Sequence, residues 1–169
     1  HRDAPYALYL IAISYYEQIA DVGREQRITE LALKAFQEVV NRFPTTEYAR
    51  DAVLKIDLAL DHLAGKEMEI GRYYLKRGHH GAAINRFRHV VKNYQTTSHV
   101  PEALHRLTEA YLALGILDEA KNAAAVLGHN YPGSEWYIDS YALLTGEDMR
   151  IEKVDDQQPW YGRIWTSEF

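Results

Sequence analysis

Residues 66–97 read KEMEIGRYYLKRGHHGAAINRFRHVVKNYQTT, and the spacing inside this stretch decides the fold class. Ile70, Gly71 and Tyr74 share one helical face, and Ala83, Phe87 and Val90 share another. Both sets follow the i, i+3, i+4, i+7 rule of an amphipathic helix. Between them lies Arg77-Gly78-His79-His80-Gly81, whose glycines can adopt the left-handed conformation that ends a helix and reverses the chain. Small residues at Gly71 and Ala83 let two helices cross closely, while Tyr74 and Phe87 fill the space beside the crossing. The stretch predicts a helical hairpin.

The same unit recurs. Counted from Pro101, the residues Thr108, Tyr111, Ala120, Ala124 and Leu127 take the places that Gly71, Tyr74, Ala83, Phe87 and Val90 hold when counting from Ala64. Upstream, Ala32, Phe36 and Val39 match the second half of the unit. Three closing phrases echo one another: Asn41-Arg42-Phe43-Pro44, Asn93-Tyr94-Gln95 and Asn130-Tyr131-Pro132. A helix–turn–helix recurring at ~34 residues with these small and aromatic places is the tetratricopeptide (TPR) signature. The expected fold is therefore all-α, a TPR-type α-solenoid of helical hairpins.

Taken in order, Pro5 to Ile19 reads as a helix that is apolar around much of its circumference, so both its sides are expected to be covered. A true solenoid end carries a polar capping face, and the chain is on that ground expected to be truncated at its N-terminus. Asp21 to Arg27 is polar and stretches the turn of this first hairpin by about seven residues beyond the regular repeat. Thr29 to Arg42 is its second helix. From Glu47 to Arg77 there is no proline, and Gly65 is the one break signal. A lone helical glycine costs only ~1 kcal/mol. One long helix shared by two repeats, or two nearly coaxial ones, is predicted there. Pro101–Leu114 and Leu117–Asn130 form the last hairpin, joined at Gly115, and a capping helix runs from an N-cap at Ser134 to Gly146. Residues 1–146 thus make about three repeats and a cap. Residues 147–169 form an aromatic C-terminal tail in which Tyr161, Trp165 and Phe169 recur every fourth residue and Trp160 adds a further ring.

Composition removes several function classes. The chain has 169 residues, 47% of them apolar, which is enough for a sizeable core. Net charge is −5 with Lys and Arg read as dispersed along the chain, so no nucleic-acid partner is expected. There is no cysteine, hence no disulfide or thiolate chemistry. No apolar run approaches the ~20 residues that span a bilayer. His79 and His80 are adjacent and point apart, and no HExxH, Gly-x-Ser-x-Gly or phosphate-binding glycine loop occurs. No catalytic residue, cofactor or metal is expected, and the chain reads as a non-enzyme.

What remains are interaction surfaces. In a TPR array the first helices line a concave groove, which here draws on Met68, Arg72, Leu75 and Lys76, then Glu102, His105, Glu109 and Leu112. A basic pair beside an acidic pair suits an extended peptide; solvated charge is the competing reading. The Lys/Asn arrangement with which co-chaperone arrays clamp a C-terminal carboxylate is not reproduced. On the following helix Asn85, Arg86 and Arg88 project while Phe87 turns inward, and arginines in such a place make good partner contacts. Pairing of those arginines with an acidic neighbour in the same chain competes with that reading. Trp160, Trp165 and Phe169 need a surface, either the last hairpin or a partner.

Several phrases resemble one family. They are residues 4–52, APYALYLIAISYYEQIADVGREQRITELALKAFQEVVNRFPTTEYARDA, residues 72–94, RYYLKRGHHGAAINRFRHVVKNY, and residues 131–144, YPGSEWYIDSYALL. Together they resemble the BamD (ComL) family, the TPR lipoproteins of the outer-membrane β-barrel assembly (BAM) machine, in the flavour of its alphaproteobacterial branch. The resemblance covers residues 1 to about 145 and is most specific in the stretched first hairpin and in Tyr73-Tyr74-x-x-Arg77-Gly78 followed by Ala83-Ile84-Asn85-Arg86. It implies a non-enzymatic scaffold at the periplasmic face of the outer membrane, held by a lipid anchor on an N-terminal cysteine that this chain does not contain. It implies docking of the C-terminal repeats on the last periplasmic POTRA domain of BamA, with Arg86 matching a family arginine on that face. Other BAM lipoproteins and unfolded outer-membrane proteins are further implied partners, although the substrate-receiving repeats lie upstream of those present here. Two other readings stay open, a periplasmic TPR adaptor of cell-envelope or division machinery and a TPR regulatory domain of an enzyme.

Overall fold

The computed structural model describes residues 2–19 and 26–146. These residues form seven helices and no strand: α1 Ala4–Tyr16, α2 Gln26–Arg42, α3 Glu47–Lys76, α4 His80–Asn93, α5 Val100–Ala113, α6 Leu117–Asn130 and α7 Glu135–Thr145. The expected all-α helical repeat is what the chain adopts. Its helices gather into two compact units, one ending at Ala103 and the next starting at Leu104, so the division falls inside α5.

In the first unit, α1 packs on α2 and α3, α2 on α3, and α3 on α4. Ala12, Ala32, Phe36, Val39 and Ala52 are the buried centre of the first hairpin. Phe36 meets the Tyr9 ring at a tilt and the Tyr16 ring in a T-shaped pair, at centroid distances of 6.2 and 5.9 Å, within the range of favourable aromatic pairs. Tyr6 and Tyr9 both meet Tyr48, and the Tyr9 hydroxyl donates to Asp51, so α1 lies along the start of α3. The opposite side of α1 is open in this chain: Leu10 and Ile11 are about half exposed. Leu54 and Leu58, apolar positions of α3, also face outward.

The long helix is a single element of 30 residues. Thr46 caps it, its hydroxyl accepting from the Ala49 N–H at 3.2 Å. It continues through Gly65 because Ala59, Leu63, Ala64, Gly65 and Met68 are all buried there; packing outweighs the intrinsic cost of one glycine. The helix stops at Gly78, whose φ of +74° is the left-handed turn. Gly81 does not share that role and lies in the first turn of α4. Across the turn, Gly71 sits directly beneath the Phe87 ring, and a Cβ there would fall well inside van der Waals distance of the ring carbons. Ala83, Phe87 and Val90 are fully buried.

Boundaries shift slightly. The segment of α2 begins at Gln26, so Gln26 and Arg27 join the helix instead of the loop; both are good helix formers. The stretched turn at residues 20–25 lies outside the described residues. In the second unit, α6 packs on α7, with Gly128 lying against the Tyr137 ring. The Ser134 hydroxyl accepts from Trp136 N–H at 3.1 Å, and α7 ends at left-handed Gly146, both as the sequence predicts.

Candidate partner-binding surface

The outward side of α4 is the most distinctive surface of the first unit. Phe87, Ala83 and Val90 turn α4 inward, which leaves Asn85, Arg88, His89 and Lys92 exposed and Arg86 half-buried at the edge. From Ile70 to Pro101 the chain carries six Lys and Arg residues and no Asp or Glu, although its net charge is −5. The cations are therefore not dispersed: the α3–α4 hairpin holds a local excess of them. Arg88, Lys92 and Lys76 have no ion-pair partner among the described residues.

Arg86 is tied down. Its Nη1 donates to both carboxylate oxygens of Glu67, at 3.1 and 3.3 Å. Glu67 belongs to α3 and its side chain is 11% exposed, against 41% for Arg86. A carboxylate buried that far is costly unless paired. Beside the pair, Glu67, Tyr74, Ala82, Asn85, Arg86 and His89 line a depression of about 290 Å³. The Tyr94 phenol is pushed above its usual range, first by burial and then by the negative charges of Glu67 and Glu30.

The other expected groove residues separate. Arg72 Nη1 donates to both oxygens of Glu102, at 2.8 and 3.0 Å, so this cation and this acid engage each other across α3 and the start of α5. Lys76 is exposed in the last turn of α3 and Leu75 half-buried. Met68 is fully buried, a correction, because its helix face is the one closed by α4. His105 is also no surface group: it is 4% exposed, its Nδ1 lies 2.9 Å from Ser140 Oγ, and its ring stands 5.3 Å from that of Trp136. Helix α7 covers it. Glu109 accepts from Arg106 Nη1 at 2.6 Å, and Arg106 in turn lies over Trp136. Trp160, Trp165 and Phe169 lie outside the described residues.

Sequence reasoning missed Glu67. The signal was present, since Glu67, Gly71 and Tyr74 are spaced i, i+4, i+7 and an acid on an apolar helical face calls for a partner. It also missed Asp61, whose Oδ1 accepts from Ser98 N–H and Oγ–H at 3.2 and 2.9 Å and so ties the α4–α5 turn to the middle of α3. Among the described residues no three His, Asp or Glu side chains are grouped to hold a metal ion. No helix among them is long and apolar enough to cross a membrane.

Comparison with known proteins decides the family. The family YfiO, described as outer membrane lipoprotein, matches residues 1–141. The chain belongs to the YfiO (BamD) family. A Caulobacter vibrioides protein named outer membrane protein assembly factor BamD is 59% identical over 147 residues, covering 87% of this chain and 48% of its own length. The Rickettsia prowazekii protein of the same name is 56% identical, covering 84% of this chain and 57% of its own. That of Neisseria meningitidis serogroup A is 33% identical, covering 98% and 61%. The first two are alphaproteobacterial, in line with the branch that the sequence resembles. The chain spans about half the length of the BamD relatives it matches.

Proposed function

We propose that this chain is a scaffold part of the outer-membrane protein assembly machinery, without chemistry of its own, and that the outward side of α4 is where a protein partner docks. Residues 1–146 are the working array, presented from the periplasmic face of the outer membrane by a lipid anchor of the full-length protein. The partner is the last POTRA domain of BamA, and it meets the array through acidic groups. Asn85, Arg86 and Arg88 carry the contact, with Lys76 and Arg72 at its margin. One observation carries this reading: a chain of net charge −5 keeps the segment from Ile70 to Pro101 free of carboxylates and exposes five of its six cations, Arg88 and Lys92 on α4 and Arg72, Lys76 and Arg77 at the end of α3. Such one-sided charge steers an oppositely charged partner and fixes its register.

A pull-down with the isolated POTRA domain tests the reading, wild type beside Arg86→Glu and Arg88→Glu. The wild type is expected to capture the domain and Arg86→Glu to lose it, with a lower melting temperature because the change sets a second carboxylate against nearly buried Glu67. Arg88→Glu, on the exposed side of α4, is expected to lose capture at an unchanged melting temperature. Equal capture by wild type and Arg86→Glu would remove Arg86 from the interface.

A further inference from the structure

The Glu67–Arg86 pair has a geometry that stability alone does not call for. Burying a carboxylate under a guanidinium adds little net stability, because desolvation cancels much of the attraction and a hydrophobic pair of similar volume does as well. What the pair does accomplish is placement. Arginine carries several rotatable bonds and loses ~2 kcal/mol of side-chain freedom when fixed. Here that freedom is already spent before any partner arrives: Nη1 is held by both Glu67 oxygens from a helix-borne, nearly buried carboxylate. Among the described residues Arg86 makes no other hydrogen bond, so its remaining donors are left for the mouth of the depression. Asn85, Tyr74 and His89 line the same depression.

We propose that Glu67 is the positioning residue of the docking face: it holds the Arg86 guanidinium in one orientation at the depression, ready to take an acidic side chain of the partner. This rests on the reading of α4 as the docking face. Glu67 touches no partner atom itself. Its effect passes wholly through Arg86, by pre-paying the ordering that binding otherwise costs.

The test is a double-mutant cycle on the full-length protein, titrated calorimetrically with the isolated last POTRA domain. Glu67→Gln is expected to weaken binding about tenfold, equivalent to ~1.4 kcal/mol, while in an Arg86→Gln background the same change has no further effect. Glu67→Met, which keeps the volume and removes the charge, folds without the buried acid and is expected to show the same loss; it decides the case if Glu67→Gln unfolds. Unchanged affinity in Glu67→Met, with Arg86→Gln weakened, overturns the positioning role and leaves the docking face standing. Equal losses from Glu67→Gln in both backgrounds also overturn it, since they mark a structural role. Unchanged affinity in Arg86→Gln would instead sink the docking face itself.

Discussion

Gly71 shows how one hydrogen in place of a methyl group sets a helix crossing. Its Cα lies against the Phe87 ring, and any Cβ there must push ring or helix away. Gly71→Ala is therefore expected to cost ~1–3 kcal/mol by overpacking, and Ala83→Leu on the opposite helix the same; denaturant titration reads both, and an unshifted midpoint would contradict the crossing. Tyr9 supplies a second test at this scale. Burial, the hydrogen bond to Asp51 and the charge of Asp51 raise its phenol from 10.0 to about 12. The folded chain thus keeps a proton that the unfolded chain releases near pH 10. The contribution is complete below pH 10 and is lost as pH rises through 12. Tyrosinate absorbance is expected to show late-titrating phenols, Tyr9 and Tyr94, of which Asp51→Asn returns Tyr9 toward the ordinary range. The small and aromatic residues at these crossings were legible from spacing, because each place admits one size class. Met68 and His105 were not. Their burial depends on which neighbouring helix closes over them, and a groove position in a regular array carries no mark of that closure.

At the scale of elements, punctuation made the chain readable. Ser134 caps where the sequence predicts and Thr46 caps the long helix, and Gly78, Gly115 and Gly146 take the left-handed turns. The 30-residue α3 was legible because nothing in it forbids helix: no proline, and one glycine whose cost packing overrides. Gly65→Pro is expected to split it, at ~3 kcal/mol or more, with amide exchange rising around residue 65 before it rises at the helix ends. Exchange that stays uniform would contradict a single cooperative helix. Within this chain the second side of α1 stays open, with Leu10 and Ile11 about half exposed. Periodicity distinguishes an amphipathic helix from a uniformly apolar one, but a uniformly apolar helix does not say which neighbours its second side meets.

At the scale of the molecule, charge separates the docking reading from a bland surface. Thirty-two consecutive residues of an acidic chain lack a carboxylate, and α4, which carries two of their five exposed cations, Arg88 and Lys92, is packed on α3 through Gly71, Ala83 and Phe87. A rigid helix with a one-signed face binds by long-range attraction and fixed geometry, both of which salt and charge reversal disturb without touching the core. The family was legible from contiguous phrases of sequence. The segregation of charge was overlooked because cations were weighed over the whole chain, where acids outnumber them.

The measurement that bears most directly on this account is the affinity of the full-length protein for the last POTRA domain of its cognate BamA, at low and high salt, for wild type and for Arg88→Glu/Lys92→Glu. The expected result is saturable binding that weakens as salt rises and is lost in the reversed variant, with both proteins melting at the same temperature. Binding that is indifferent to salt and survives the reversal would contradict the claim that the basic side of α4 is the docking face.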